Sequence, residues 1–449
     1  MIAVILGIAL TAWLPLLGHG FGFDLKAASI RLLIVAIVCA AAVAAATPGG
    51  VWSSTFLYYT VIVLFHCGLF LTPAFTGELG DFLRSGWLGW YSPELMIRAA
   101  YLVELGLIAT AFGAAIAVAI HQRDSRIAKN ERLERIQRET LADIGGVLAI
   151  AGVALWYVAN AQRLGPLFFL GSYIEYVDSA TGDNLILANV AITLGTVLVI
   201  LAPKRPLAAV GGIAVILFAG MSLLLGARGV ALIPILAGVA VLARVRKPPS
   251  PFLLIAGMVV VLAGISLVQQ VRVIGVSNDQ DQVSVSITAA IEEMGYSIRV
   301  VTTSIGWHEY GNEPYRMGET YGGQLSRLME GMVGAGRQAA DSDYRLMNVE
   351  IANRVGPIGG SIIAEAHHNF GVIGVPVTMA LASILLTRVT MRRPSPISLA
   401  LGGLLMTVLL MHVRNSFAPI FVWTVTGLLV IVGALALANL RAQRNSPRA

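Results

Sequence analysis

Charge is scarce in this sequence. Only 12% of its 449 residues are Asp, Glu, Lys or Arg, against 57% hydrophobic, and the mean hydropathy is +0.78. A chain with so little polar surface cannot be a string of ordinary water-soluble domains. Cysteine is scarcer still. Cys39 and Cys67 both lie inside apolar runs, so they read as small buried hydrophobes and imply no disulfide framework. The N-terminal stretch MIAVILGIALTAWLPLLGHG lacks both a basic leading region and an A-x-A cleavage site, so it is expected to stay as a first helix rather than be removed as a signal peptide. The apolar runs also lack the strand-length alternation of a membrane barrel. No nucleophile elbow, phosphate-binding loop or paired D-x-D sugar-nucleotide site occurs.

What is present in abundance is long apolar stretches. The runs near 1–17, 30–46, 51–72, 96–120, 142–162, 184–201, 207–225, 229–243, 252–271, 363–386, 397–413 and 417–438 each approach the length a helix needs to cross the hydrocarbon core. They predict an all-α polytopic membrane protein of about 12 transmembrane helices. Segment 1–271 would hold the first nine helices, 272–360 a helical extracytoplasmic cap, 361–440 the last three helices and 441–449 a cytoplasmic tail.

The net charge of +6 and the isoelectric point near 9.4 could suggest nucleic acid, but the distribution argues otherwise. The basic residues concentrate in 121–139, 202–206, 243–249, 387–394 and the tail LRAQRNSPRA, the short loops that the positive-inside rule leaves in the cytoplasm. Both termini are then cytoplasmic, and no nucleic-acid partner is expected. The charged segment 125–140 predicts a solvated cytoplasmic helix. Segment 272–360 contains no lysine, more acid than base, and Trp307, Tyr310, Tyr315, Tyr321 and Tyr344. That composition fits the outer side, and the apolar spacing predicts a small helical cap resting on the membrane surface.

Ionisable residues at the ends of membrane helices are candidates for function. They occur at Arg228 in LLLGARGVALIP, at Arg272 in LVQQVRVIG, at Glu365, His367, His368 and Asn369 in GGSIIAEAHHNFGVIG, and at Arg414 and Asn415 in LLMHVRNSFAP. Tracing each helix from its cytoplasmic end brings all four places to the extracytoplasmic face, as a single site requires. Guanidinium groups there would match phosphate oxygens bidentately, and a lipid-linked diphosphate is the natural anion. In GGSIIAEAHHNFGVIG, helical spacing puts Glu365, His368 and Asn369 on one face and turns His367 elsewhere. Glu-x-x-His is also a di-metal pattern, but no second copy occurs, so no metal is expected. A carboxylate-oriented imidazole makes a competent general base.

With GARG at a helix turn, an arginine closing the helix before the large loop, the pattern formed by Gly360, Ser361, Ala364, Glu365, Asn369, Phe370 and Gly371, and RNSF after the following helix, the sequence resembles the Wzy-type O-antigen polysaccharide polymerases. The motifs fall between 221 and 417. The resemblance implies the GT-C membrane-glycosyltransferase architecture shared with O-antigen ligases. It implies transfer of a growing glycan from undecaprenyl diphosphate to the non-reducing sugar of a new lipid-linked repeat unit, with inversion and without metal or other cofactor. In that setting Arg228, Arg272 and Arg414 would bind diphosphate, and Glu365 would be base or orienter with His368 the competing base. Asn369 would position a hydroxyl, and Asn415, His367 and Ser361 would line the substrate. The partners are the lipid-linked donor and acceptor and the surrounding membrane lipid, with a chain-length-regulating co-polymerase left open. A ligase acting on another lipid acceptor is the nearest rival. A transporter of lipid-linked sugars is the rival from another class, and it would require midplane polar residues and internal repeats.

Overall fold

The computed structural model of the protein describes residues 2–13, 24–78, 91–121, 131–171, 183–225, 227–253, 287–334, 341–356 and 358–444, with single positions between them. Among these residues every regular element is helical, with no strand. Lipid offers no partner to a backbone amide, and a helix satisfies its own. In chain order the helices are α1 Ile2–Trp13, α2 Leu25–Ala46, α3 Ser54–Cys67, α4 Leu71–Thr76, α5 Pro93–Ala119, α6 Glu131–Leu164, α7 Asp183–Val199, α8 Pro206–Leu224 and α9 Arg228–Val245. After them come α10 Ile287–Met294, α11 Ile298–Ile305, α12 Glu319–Val333, α13 Met347–Val355, α14 Ile362–Met391, α15 Pro396–Arg414 and α16 Phe417–Arg444.

Among the described residues eight spans are long and apolar enough to cross a membrane: α2, Ser54–Thr76, α5, α6, α8, α14, α15 and α16. Three apolar helices, Ile2–Trp13, Leu185–Val199 and Gly229–Val245, are shorter. Every predicted run except 252–271 coincides with one of these helices, and 252–271 lies largely outside the described residues. The protein is a multi-pass membrane protein.

The chain forms two compact units. The first comprises Met1–His121, Ile291–Met391 and Val408–Val422. Its centre is α5, from Met96 to Ala117 almost wholly buried. Small residues let α14 approach closely: a Cβ on Gly113 would stand 2.5 Å from the Ala380 carbonyl oxygen. Membrane helices associate through such small-residue faces because lipid tails are as apolar as leucine. Buried hydroxyls complete the contact, Ser383 Oγ donating to the Thr110 carbonyl at 2.7 Å and Thr55 pairing with Thr387 at 2.8 Å. Glu104 of α5 is buried and takes Arg31 of α2 at 2.9 Å and the Trp13 indole at 2.9 Å.

The second unit comprises Gln122–Ala290, Arg392–Thr407 and Trp423–Ala449. Here α6 packs on α7 and α8 through glycine: a Cβ on Gly145 would meet Leu198 at 2.5 Å, and one on Gly146 would meet the Leu207 carbonyl at 2.3 Å. Trp156, Phe168 and Phe218 form an edge-to-face cluster at 5.1 and 4.9 Å. The charged segment 125–140 is not a separate helix after Glu131: α6 runs unbroken from Glu131 to Leu164. No proline stands between its charged first half and its apolar second half, so nothing ends the helix where the hydropathy changes.

Two further departures position the site. In the segment expected to be a surface cap, α11 packs on α5 and α14, with its Ile298, Val300, Val301 and Ile305 fully buried. The run predicted as one helix over 363–386 is broken at Gly371, with φ 65° and ψ −158°. This backbone region is essentially glycine-only. It divides α14 into a half-helix, 362–370, and an apolar helix beginning at 372.

Candidate active site

The half-helix starts from a glycine-built contact. Gly360 donates its N–H to the Arg414 carbonyl at 2.8 Å, and a Cβ there would lie 2.4 Å from the Asn415 carbonyl carbon. The GGS and RNS stretches therefore lie directly on each other. Ser361 caps the half-helix, its Oγ accepting from Ala364 N at 3.2 Å and standing 2.7 Å from His66 Nε2. Ser361 is fully buried in this role.

Glu365 is fully buried, and both carboxylate oxygens are engaged. Oε1 accepts from Thr320 Oγ1 at 2.7 Å. Oε2 accepts the Phe417 backbone N–H at 2.7 Å and meets His412 Nε2 at 3.0 Å. Phe417 is the first residue of α16, so the carboxylate sits at a helix N-terminus, where orphan N–H groups and the helix dipole favour negative charge. Asn369 is bound into the same knot. Its Nδ2 donates to Thr320 Oγ1 at 2.7 Å and to the Glu365 carbonyl at 2.8 Å, while Oδ1 accepts from Gly318 N at 3.0 Å and Thr320 N at 3.3 Å. The i, i+4 pairing of Glu365 with Asn369 holds, with Thr320 as the bridge.

His368 does not join them. The imidazole that meets Glu365 is His412 of α15, and the carboxylate that meets His368 Nε2 is Glu350 of α13, at 3.2 Å. Helical spacing shows which side chains leave a helix together, whereas the neighbouring elements decide which partner each reaches. His368 Nδ1 stands 2.8 Å from His308 Nε2, and His308 Nδ1 stands 2.8 Å from the Glu313 carbonyl. His367 reaches a parallel set of groups: its Nδ1 lies 2.9 Å from Ser304 Oγ and its Nε2 lies 3.4 Å from Glu309 Oε1. Arg98 Nε in turn donates to Glu309 at 3.0 Å. Both histidines of the motif thus end on carboxylates held by arginine.

A π-helical turn over Gly306–Tyr310 makes this convergence, carrying Trp307, His308 and Glu309 in succession. Such turns are often found at functional sites. Trp307 lies under the Arg354 guanidinium at 3.9 Å, and Tyr315 stacks on His308 at 4.6 Å. Glu350 also accepts from Arg316 at 2.7 Å and Arg354 at 2.9 Å, and Arg354 forms a further pair with Glu313. Burial alone would raise the Glu350 carboxyl, but the neighbouring His368 and the hydrogen bond from Arg316 outweigh it and hold the carboxyl at about 2. Burial also opposes ionisation of Glu309, and His367 and Arg98 reverse it, leaving Glu309 below the usual range.

The break at Gly371 leaves the last carbonyls of the half-helix open. Arg316 N takes the His368 carbonyl at 3.0 Å and Met317 N takes the Asn369 carbonyl at 2.9 Å. Irregular backbone next to a membrane helix needs this kind of internal satisfaction.

Of the arginines singled out from sequence, Arg414 is exposed, with its guanidinium 5.7 Å from the Phe65 ring centroid. Asn415 turns its amide back onto the Met411 carbonyl at 2.9 Å, just past the end of α15. Arg228 begins α9 in the second unit, and its side chain lies outside the described residues, as does all of Arg272. Sequence reasoning passed over Thr320, His308, Glu309, Glu350 and His412. Only His412 carried a legible signal, two residues before Arg414 in a stretch already singled out. Among the described residues no group of three or more His, Cys, Asp or Glu is arranged to hold a metal ion.

The family model described as O-antigen polysaccharide polymerase Wzy matches residues 2–443 of the chain. No curated protein and no solved structure matches it.

Proposed function

The chain belongs to the O-antigen polysaccharide polymerase Wzy family, and from that premise we propose that Glu365 and His412 are its catalytic dyad, with His412 the general base and Glu365 its orienter. The reaction joins lipid-linked repeat units on the extracytoplasmic face of the inner membrane. The acceptor hydroxyl gives its proton to His412 and its oxygen bonds to the anomeric carbon of the donor glycan. The bond from that carbon to undecaprenyl diphosphate breaks, with inversion, and the diphosphate leaves with the electron pair.

One observation carries the assignment of the dyad. Both oxygens of the buried Glu365 carboxylate are already committed, one to Thr320 and the other to Phe417 N and His412. A carboxylate so held is poorly placed to take a proton from substrate, but well placed to fix the ring and tautomer of an imidazole. With Nε2–H turned to Glu365, His412 Nδ1 is the basic nitrogen. Arg228, Arg272 and Arg414 take the diphosphate in this reading, stabilising its developing charge without a metal.

The test is polymerisation by purified protein of two defined undecaprenyl-diphosphate repeat units, in chelator. Wild-type protein should yield the doubled glycan. His412→Ala should lose about 10²–10⁴-fold in rate, as removal of a general base does. Glu365→Ala or Arg228→Ala should abolish extension while leaving membrane insertion intact. Normal extension by His412→Ala would remove that residue from the chemistry. A requirement for divalent metal would overturn the metal-free route. Transfer only to a different lipid acceptor would mark a ligase, and transbilayer movement without new glycosidic bonds a transporter.

A further inference from the structure

The contacts running from Glu313 to Glu350 have a proton count that ring geometry dictates. The Glu313 carbonyl oxygen can only accept, so His308 Nδ1, 2.8 Å away, carries a hydrogen. One hydrogen serves the 2.8 Å contact between His308 Nε2 and His368 Nδ1. His368 Nε2 then faces Glu350 Oε2 at 3.2 Å, and neither buried atom has an aligned hydrogen-bond partner. Glu350 is ionised, with two arginines on its other oxygen. If His368 Nε2 lacked a hydrogen, two lone pairs would oppose each other away from water, an arrangement that costs free energy with nothing to offset it. Three of the four ring nitrogens' positions in this chain of contacts therefore need a hydrogen, and a neutral pair of imidazoles supplies only two.

We propose that His308 and His368 together hold one extra proton, and that this imidazole–imidazolium pair is a positioning device strapping residues 313–320 to the broken end of α14. Burial, together with the neighbouring His368 and His367, pushes His308 down despite its bond to the Glu313 carbonyl. The ionisable groups facing the pair are Glu309, backed by Arg98, on the π turn; Glu313, Tyr315 and Arg316 on the strap; Glu350 and Arg354 on α13; and His367 on α14. The carboxylates among them are each held by arginine, and only the Glu350 contact lacks a hydrogen unless the pair is charged.

The strap matters because its far end is Thr320, which touches both Glu365 and Asn369. Arg316 N and Met317 N tie it to the half-helix between these points. Deprotonation would turn the His368–Glu350 contact repulsive and loosen the segment that seats Thr320 on Glu365. This consequence for activity rests on the Glu365–His412 reading, whereas the proton count does not.

Two measurements test it. In ¹⁵N-histidine NMR of the full chain at pH 7, the spectrum should contain a buried imidazolium that His368→Gln abolishes; a wholly neutral set of buried histidines would overturn the proton count. In a pH–rate profile, polymerisation should fall about tenfold per pH unit on an alkaline limb, as one proton requires. Glu350→Gln should lack that limb, because its amide N–H can serve a neutral His368. Persistence of the limb in Glu350→Gln would overturn the positioning role. Should that variant fail to fold, the wild-type spectrum still decides the proton count, and His412→Lys or His412→Ala activity separately decides the dyad.

Discussion

Gly371 shows how much one residue decides. Its φ of 65° ends the half-helix one residue after Phe370, and the Tyr315 ring lies where a Cβ would stand, at 3.0 Å. Gly371→Ala is expected to cost about 1–3 kcal/mol of stability through backbone strain alone. It should also lower activity more than an alanine at the exposed Ile373 does, because the carbonyls of His368 and Asn369 would be drawn back toward helix and away from Arg316 and Met317. Thermal unfolding in detergent, beside polymerisation rate, checks both effects. At the same scale, Glu365→Gln should retain more activity than Glu365→Ala, since an amide oxygen can still accept from Phe417 N or Thr320, and the rate ratio of the two variants measures how much of the dyad depends on charge. Equal rates would mean that hydrogen-bond acceptance at this position contributes nothing without the charge.

Among the elements, α12 is anchored by charge. Arg327, nearly fully buried, pairs with the buried Asp343, and Arg345 bridges Asp343 at 2.8 Å to Glu330 at 3.0 Å. Hydrogen bonding from Arg345 first, then from Arg327, holds the Asp343 carboxyl at about 2 despite its burial. A carboxyl depressed in the folded state contributes stability above its unfolded value, about 4, and that stability is lost as pH falls through the folded value. Amide-exchange protection of α12 should therefore decline as pH is lowered from about 4 toward 2. Asp343→Asn should destabilise the protein by about 3–5 kcal/mol at neutral pH, because it leaves a buried guanidinium without its counter-charge, and should flatten the acid dependence. The exposed apolar face of the same helix, with Met332 and Val333, follows from its amphipathic spacing and was legible in the sequence. The ion pairs that anchor its other face were not, since Arg327, Asp343 and Arg345 are spread over segments whose meeting depends on the turn between them.

For the whole molecule, the testable statement is topological. The basic loops predict cytoplasmic termini and an extracytoplasmic segment 272–360. Reporters fused in 246–249 should behave as cytoplasmic, and reporters within 334–340 as extracytoplasmic; the opposite result at both would invert the proposed face of the active site. Hydropathy made the helices legible because a helix that crosses the hydrocarbon core needs about 20 predominantly apolar residues in one run. The proportion of polar residues near the site was legible for the same reason, since Glu365, His367, His368 and Asn369 interrupt a pattern that tolerates few of them.

The sequence by itself determined the class, the helical spans and the stretch in which the site lies, because each depends on local composition or on spacing along one helix. It also determined that Glu365 and Asn369 leave the same helix face, one helical turn apart. The tertiary structure alone decided the pairings: Glu365 with His412 rather than His368, His368 with His308 and Glu350, and Ser361 as a cap against His66. A carboxylate buried at a helix end takes whichever donors the neighbouring elements present, and for Glu365 these come from α12, α15 and α16, while α3, the π turn and α13 supply the partners of Ser361 and His368. Their distance along the chain carries no periodic signal, so only packing brings them together.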